Sequence, residues 1–339
     1  MSYEIRQYCP GDEIEILKTF NNVFAADHPH YSPRTQEQWN WEFRDNPAGN
    51  QIVLAFDEEG RVICQYCCLP YFVNVRNEKV VSGLGVDSFV DPSFRQGLKK
   101  EGVFLRVARH YFKEIAVPHI TAFGYGFPND KAYRIGVKML KYHEIRKPQT
   151  TIFRNLWEYA NDDDVGGTAA VSGGVRIEEI EKFDARFDDF WSHLMPSFPM
   201  AGWRDAEYLN WRYKGCHWIP YRAFAAFDAG GTVRGFCVVR PDWQSHPMLA
   251  VTEILTDPGD DGTFAELLRH ITRFARENRQ QRIEFWFAET SKPFAMACRM
   301  GFKTEPSPFN LVGRFYRDDL DLDYARENWY YTLGDMDIL

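Results

Sequence analysis

Gly83-Leu84-Gly85-Val86-Asp87-Ser88-Phe89-Val90-Asp91-Pro92-Ser93-Phe94-Arg95-Gln96-Gly97 decides the fold of this chain. Leu84–Val90 is apolar enough to predict a strand. Asp91-Pro92 marks a turn, and a short loop carrying Arg95 and Gly97 leads into a helix expected from Lys99 to Glu114. A strand, a glycine-bearing loop and a helix start, in that order, suit a bound phosphate. The first amides of a helix lack intrahelical acceptors, and the helix dipole is positive there.

Upstream, Tyr3–Tyr8 reads as a strand, and Ile14, Ile16, Leu17, Phe20 and Phe24 form a helical stripe. A second helix over Gln36–Phe43 is stopped by Asn46-Pro47-Ala48-Gly49. Gln51–Phe56, Arg61–Pro70 and Val80–Val90, joined by turn residues, predict a meander. Downstream come a strand at Ile120–Gly124, a helix at Asn129–Met139 and strands within Lys141–Leu156. The Asp-, Gly- and Ser-rich stretch 161–174 reads as a linker, which places domains at 1–160 and 175–339. The second half then repeats the order of elements.

The halves also share residues. Phe56-Asp57-Glu58-Glu59-Gly60-Arg61-Val62 aligns without gaps on Phe227-Asp228-Ala229-Gly230-Gly231-Thr232-Val233. Trp39-Asn40-Trp41 matches Leu209-Asn210-Trp211, and Val86-Asp87 through Asp91-Pro92 matches Thr252-Glu253 through Asp257-Pro258. Gly136 and Gly301 are both read as closing the late helix. Agreement in order and spacing argues for a duplicated domain. The copies diverge after the Asp-Pro turn. The first has Arg95, Lys99 and Lys100 there; the second has Asp260 and Asp261. A phosphate-bearing ligand is therefore expected in the first copy alone.

Composition narrows the class. With 45% apolar and 16% aromatic residues, the chain can bury sizeable cores, which argues against disorder. A net charge of −8 lowers the rank of nucleic-acid binding. No run of apolar residues is long enough for a membrane span, and the N-terminus lacks the apolar core of a signal peptide. Seven cysteines, an odd number mostly within apolar runs, point to a reducing, cytoplasmic setting. Cys64, Cys67 and Cys68 share a predicted strand without a second pair at metal spacing. They are expected as buried small residues, and no metal site is expected.

The strand, Val-Asp-Pro turn, Arg95 and Gly97 before a helix resemble the coenzyme A motif of the GCN5-related N-acetyltransferases. Phe127-Pro128-Asn129 with Tyr133 and Gly136 is similar to that family's later motif. The order of elements resembles it over both halves, most closely in bacterial two-domain members ending in a tail like Trp329–Asp337. The family loop runs Arg/Gln-x-x-Gly-x-Gly/Ala; here Arg95-x-Gly97 stands before Leu98. The resemblance implies an α/β protein of α+β type. It would consist of two tandem acyl-CoA N-acyltransferase-like domains, each a mixed, mostly antiparallel sheet flanked by helices.

It also implies acetyl-CoA as cofactor, bound by Phe89, Val90, Arg95, Gln96, Gly97, Leu98, Lys99, Asn129 and Tyr133. A small-molecule amine, amino sugar or peptide would be the acceptor, and the protein would be a monomer or homodimer. Tyr133 would serve as acid toward the departing thiol, its ordinary pKa being close to a thiol's. Asp87, on the central strand, is the candidate base, with Glu253 as its counterpart and His143 as a third candidate. His28-Pro29-His30 falls where the family's first interhelical loop lines an acceptor pocket, but is read here as a plain surface loop. Two other readings stay open: a binding module without catalysis, and an aminoacyl transferase of the same fold acting on an envelope precursor.

Overall fold

The computed structural model describes residues 2–27, 31–95, 102–158 and 174–337. The first strands are β1 Glu4–Gln7, β2 Gln51–Phe56, β3 Val62–Val75, β4 Glu78–Val90, β5 Phe123–Gly126, β6 His143–Arg146 and β7 Thr150–Asn155. They are followed by β8 Arg176–Glu179, β9 Met200–Gly202, β10 Arg222–Phe227, β11 Val233–Arg240, β12 Met248–Thr256, β13 Arg282–Phe285, β14 Lys303–Pro306, β15 Leu311–Phe315 and β16 Trp329–Tyr330. The helices are α1 Glu13–Asp27, α2 Gln36–Trp39, α3 Val103–Glu114, α4 Asp130–Met139, α5 Ala185–Leu194, α6 Ala206–Leu209, α7 Asp261–Glu277, α8 Lys292–Arg299 and α9 Leu322–Asn328.

These elements form two compact units. Unit 1 comprises Met1–Phe72, Val80–Ile145 and Leu311–Leu322; unit 2 comprises Val73–Lys79, Arg146–Asn310 and Asp323–Leu339. The sheet of unit 1 runs β1-β2-β3-β4-β5-β15-β6, and that of unit 2 runs β14-β7-β13-β12-β11-β10-β8. Each sheet takes a strand from the other half of the chain. From the second half, β15 pairs antiparallel with β5, Val312 opposite Gly126. From the first half, β7 lies between β13 and β14, with Asn155 opposite Arg282 and Phe153 opposite Lys303. The exchanged strands carry buried side chains, Val312 in unit 1 and Ile152 in unit 2, so burial favours the exchange.

Both sheets are mixed and mostly antiparallel, as expected. Parallel pairs include β4 with β5 in the first sheet, where β9 and β16 also pair parallel off the main path, and β12 with β13 in the second. The repeat is visible in detail. Asp57 N–H donates to the Arg61 carbonyl at 3.1 Å, and Asp228 N–H to Thr232 at 3.0 Å. Matching bulges fall between Ala55 and Phe56 and between Ala226 and Phe227. Thr35 and Asp205 cap α2 and α6, and each helix runs on into a five-residue π-helical stretch, Asn40–Arg44 and Asn210–Lys214.

Three expectations change. Gly136 lies inside α4, and the left-handed position after that helix is taken by Lys141 (φ 60°); Gly301 (φ 85°) fills it after α8. Ile14 is 65% exposed, while Ile16, Leu17, Phe20 and Val23 carry the buried stripe of α1. The described part of α3 starts at Val103, capped by Gly102. Val103, Val107, Ala108 and Tyr111 of α3 pack on Val53, Ala55, Ile63, Cys64 and Cys68. Cys64, Cys67 and Cys68 are buried free thiols, as expected. No helix among the described residues is long and apolar enough to cross a membrane.

Candidate functional site

The site in unit 1 grows from a fork between its parallel strands. Ser82, Gly83 and Leu84 of β4 stand opposite Phe123, Gly124 and Tyr125 of β5, and the paired register stops there. The next residues are Gly85 and Gly126. A Cβ on Gly85 would meet nothing nearer than the Tyr125 carbonyl at 3.5 Å, and one on Gly126 nothing nearer than the Gly85 carbonyl at 3.7 Å. Gly85 and Ser88 are exposed although they lie on a central strand. Past Leu84 the strands no longer pair, while the glycines let the two backbones stay within contact distance of each other. One step earlier the packing is tighter. A Cβ on Gly83 would come within 2.7 Å of Gln51 Oε1, and one on Gly124 within 2.7 Å of Tyr316 Oη.

Asp87 lies just past the fork, with φ +48°, a left-handed conformation rare for a non-glycine residue and better tolerated by Asp and Asn than by most. Its carbonyl accepts from Gln65 Nε2 at 2.9 Å. Its carboxylate pairs with Arg34, whose guanidinium also lies 3.2 Å from Glu42 and 4.5 Å from the centre of the Phe20 ring. Burial opposes the charge of Arg34, but the two carboxylates prevail and hold it protonated more firmly than a free arginine. Two carboxyl side chains thus face one guanidinium beside the end of the β4–β5 pairing.

Tyr133 stands elsewhere. It is half-buried on α4 and packs with the cluster beneath α3, which includes Tyr66, Tyr111, Tyr142 and Tyr316. Tyr111 Oη donates to Gln51 at 2.7 Å, and the hydroxyls of Tyr66 and Tyr142 are 3.2 Å apart. Burial pushes Tyr66, Tyr111 and Tyr142 well above the ordinary phenol range. Neighbours on β3 report the geometry: Cys67 lies by Asp87 and Arg34, and Cys68 by Tyr111. Adjacent strand residues point to opposite faces. Asp87 and the cluster that holds Tyr133 therefore lie on opposite faces of the sheet.

Asn129 caps α4, its Oδ1 accepting from Ala132 N–H at 3.0 Å. Phe89 is buried edge-on against Phe20. The Val90 carbonyl accepts from Arg95 Nε at 3.1 Å. His143 is exposed on β6. Gln96, Gly97, Leu98, Lys99 and the His28-Pro29-His30 segment lie outside the described residues. No cluster with metal-binding composition occurs among the described residues.

Sequence reasoning missed Arg34 and Glu42. A signal existed. Arg34 and Arg204 each stand immediately before a helix-capping residue and six positions before the aligned Asn40 and Asn210.

Unit 2 has the same fork, filled. β12 and β13 pair only from Met248 to Ala250, yet Val251–Thr256 are buried throughout. Glu253, the counterpart of Asp87, lies 3.1 Å from Arg204, which lies 2.7 Å from Asp335 of the C-terminal segment; the Arg204 and Glu253 side chains are wholly buried. Burial pushes the Glu253 carboxyl up to about 7, against the pull of Arg204. Beside the start of α7, a cavity of about 560 Å³ is lined by Asp228, Asp257 and Asp260, with Arg234 paired to Asp260 at 3.1 Å. Three carboxylates there disfavour a diphosphate.

No family model matches the sequence, and no curated protein does. Solved structures do. A probable N-acyltransferase of unknown function from Enterococcus faecalis V583 aligns with 93% of this chain and 73% of its own, at 12% identity and a TM-score of 0.67. A GCN5-related N-acetyltransferase from Anabaena variabilis aligns over the same shares at 10% identity and a TM-score of 0.64. A tandem GNAT protein from the clavulanic acid biosynthesis pathway aligns over 94% of this chain and 100% of its own, at 14% identity and a TM-score of 0.54. At such identities the likeness concerns the fold. That fold is the acyl-CoA N-acyltransferase fold. The chain carries that fold across both of its halves, as the tandem protein does.

Proposed function

We propose that unit 1 is an N-acyltransferase that takes an acyl group, acetyl first among candidates, from acyl-CoA and delivers it to an amine. The observation that carries this reading is the end of pairing between the parallel strands β4 and β5 at Leu84 and Tyr125, beside the exposed Gly85. A pantetheine arm is an extended chain with amide groups at intervals, and it suits a gap between two strands that still have free edges. The coenzyme would supply an activated thioester. Phe89 and Val90 would offer backbone groups to it, and Arg95 with Gln96, Gly97, Leu98 and Lys99 would face its diphosphate at the start of α3.

An acceptor amine arrives protonated and must lose its proton to attack. Asp87 takes that proton. Tyr133, on the opposite face, donates a proton to the departing sulfur. The pairing of Asp87 with Arg34 favours a second reading, a binding module that holds coenzyme without turnover.

Calorimetric titration with acetyl-CoA tests the first claim. Specific binding of one equivalent and a raised melting temperature are expected. Gly85→Val should abolish that binding with little change in stability, because the added Cβ meets the Tyr125 carbonyl only at ordinary contact distance, 3.5 Å, and Gly85 is exposed. No binding at millimolar coenzyme would overturn the assignment. Binding without transfer to any amine panel would support the module.

A further inference from the structure

The fork of unit 2 is closed by the chain itself. Tyr331, Thr332, Leu333 and Met336 are 0–2% exposed. Trp329 and Tyr330 pair with Met200 and Ala201, and the Tyr330 hydroxyl donates to the Ile254 carbonyl of β12, past the point where β13 has diverged. Gly334 approaches so closely that a Cβ there would lie 2.8 Å from the Thr252 carbonyl. The contact is also charged. Asp335 binds Arg204, and the Met336 carbonyl accepts from Arg212 Nη2 at 3.1 Å. Arg212 stands at the repeat position of Glu42: unit 1 supplies its second acid from the α2 extension, whereas unit 2 has an arginine there and receives the acid from the tail. The tail also covers the polar groups of the fork: Thr332 bonds the Glu253 carboxyl, and a Cβ on Gly334 would clash with Tyr213 Oη.

We propose that unit 2 retains a groove for a pantetheine thioester and that Trp329–Met336 occupies it as a built-in strap latched by Asp335. The proposal rests on reading the unit 1 fork as the acyl-thioester groove. Its ligand is the thioester arm without the nucleotide, because the acidic start of α7 disfavours the diphosphate. Unit 2 is thus kept from competing for acyl donors while its strap is shut.

Acetyl-pantetheine, which carries no diphosphate, is the probe. Two variants should release the strap by different means: Asp335→Lys sets a cation against Arg204 and Arg212, and Gly334→Ala adds a Cβ against the Thr252 carbonyl. Hydrogen exchange at 329–336 should then accelerate at least tenfold in either variant that keeps a cooperative melt. The bound equivalents of acetyl-pantetheine should rise by one over wild type, while those of acetyl-CoA stay unchanged. A released strap with no added equivalent overturns the groove; unchanged exchange in both variants overturns the latch. Failure of the unit 1 reading looks different: wild type would bind no equivalent, and the variants would go from zero to one. Adding Gly85→Val to either variant should remove only the unit 1 equivalent.

Discussion

The two forks differ in what their arginine serves. In unit 1, Arg34 holds Asp87 and Glu42 beside the end of the β4–β5 pairing, with 22% of its side chain exposed. In unit 2, Arg204 is wholly buried between Glu253 and Asp335, and the gap is full. One duplicated device, an arginine ahead of a helix cap facing an acid on the central strand, thus works once partly buried and once as core. The lesson is energetic. Near water, an ion pair is cheap to break and its acid can exchange partners. Inside, the same pair is costly to form and costlier to break, which suits a latch and hinders a base.

Arg204→Ala should break the comparison most sharply. It strands two buried carboxylates and should cost about 3–5 kcal/mol in denaturant unfolding. Arg34→Ala, beside water, should cost about 1–3 kcal/mol. Equal losses would mean that the two groups do the same work.

Next in size is a pH effect confined to unit 2. The folded-state pKa of Glu253, about 7, lies above its ordinary 4.5. The folded chain therefore keeps a proton that the unfolded chain releases between those values. Its contribution to stability is fully present below about pH 4.5 and is lost as pH rises through 7, by up to about 3 kcal/mol. Arg204, Asp335, Tyr208, Tyr213 and Tyr330 surround the group, and Arg204 and Asp335 set how much of this is seen. Glu253→Gln should flatten that slope in melts taken from pH 5 to 8; a slope unchanged by the substitution would assign it to another group.

Asp87→Asn should lower turnover about 100-fold, a typical share for a general base. The melt should hardly move, because Asn also tolerates φ +48° and Arg34 keeps Glu42. A matching loss in coenzyme affinity would recast Asp87 as a structural residue. Tyr133→Phe should be the smallest step, with turnover down about tenfold and coenzyme affinity unchanged. Full activity in that variant would remove Tyr133 from the proton path.

Much of the site's frame was readable in the residues. The Asp-Pro turn after a strand, the helix beyond it and the repeat of Phe56–Val62 in Phe227–Val233 are local patterns. Local patterns survive without knowledge of distant partners. The Arg34–Asp87 pair was not readable, because its partners lie 53 positions apart and either side chain alone reads as a solvated charge. The same holds for Arg204 and Asp335, which are 131 positions apart.

By itself, then, the sequence determined a duplicated α+β chain and the copy whose helix start is basic. Period, turn chemistry and charge are properties of neighbours along the chain. Only the tertiary structure decided that β7 and β15 change places, that β4 and β5 stop pairing after Leu84 and that the fork after Ala250 is filled by Trp329–Met336. Each of those outcomes depends on which buried surface finds the better partner across the fold, and that competition leaves no mark on any single stretch of residues.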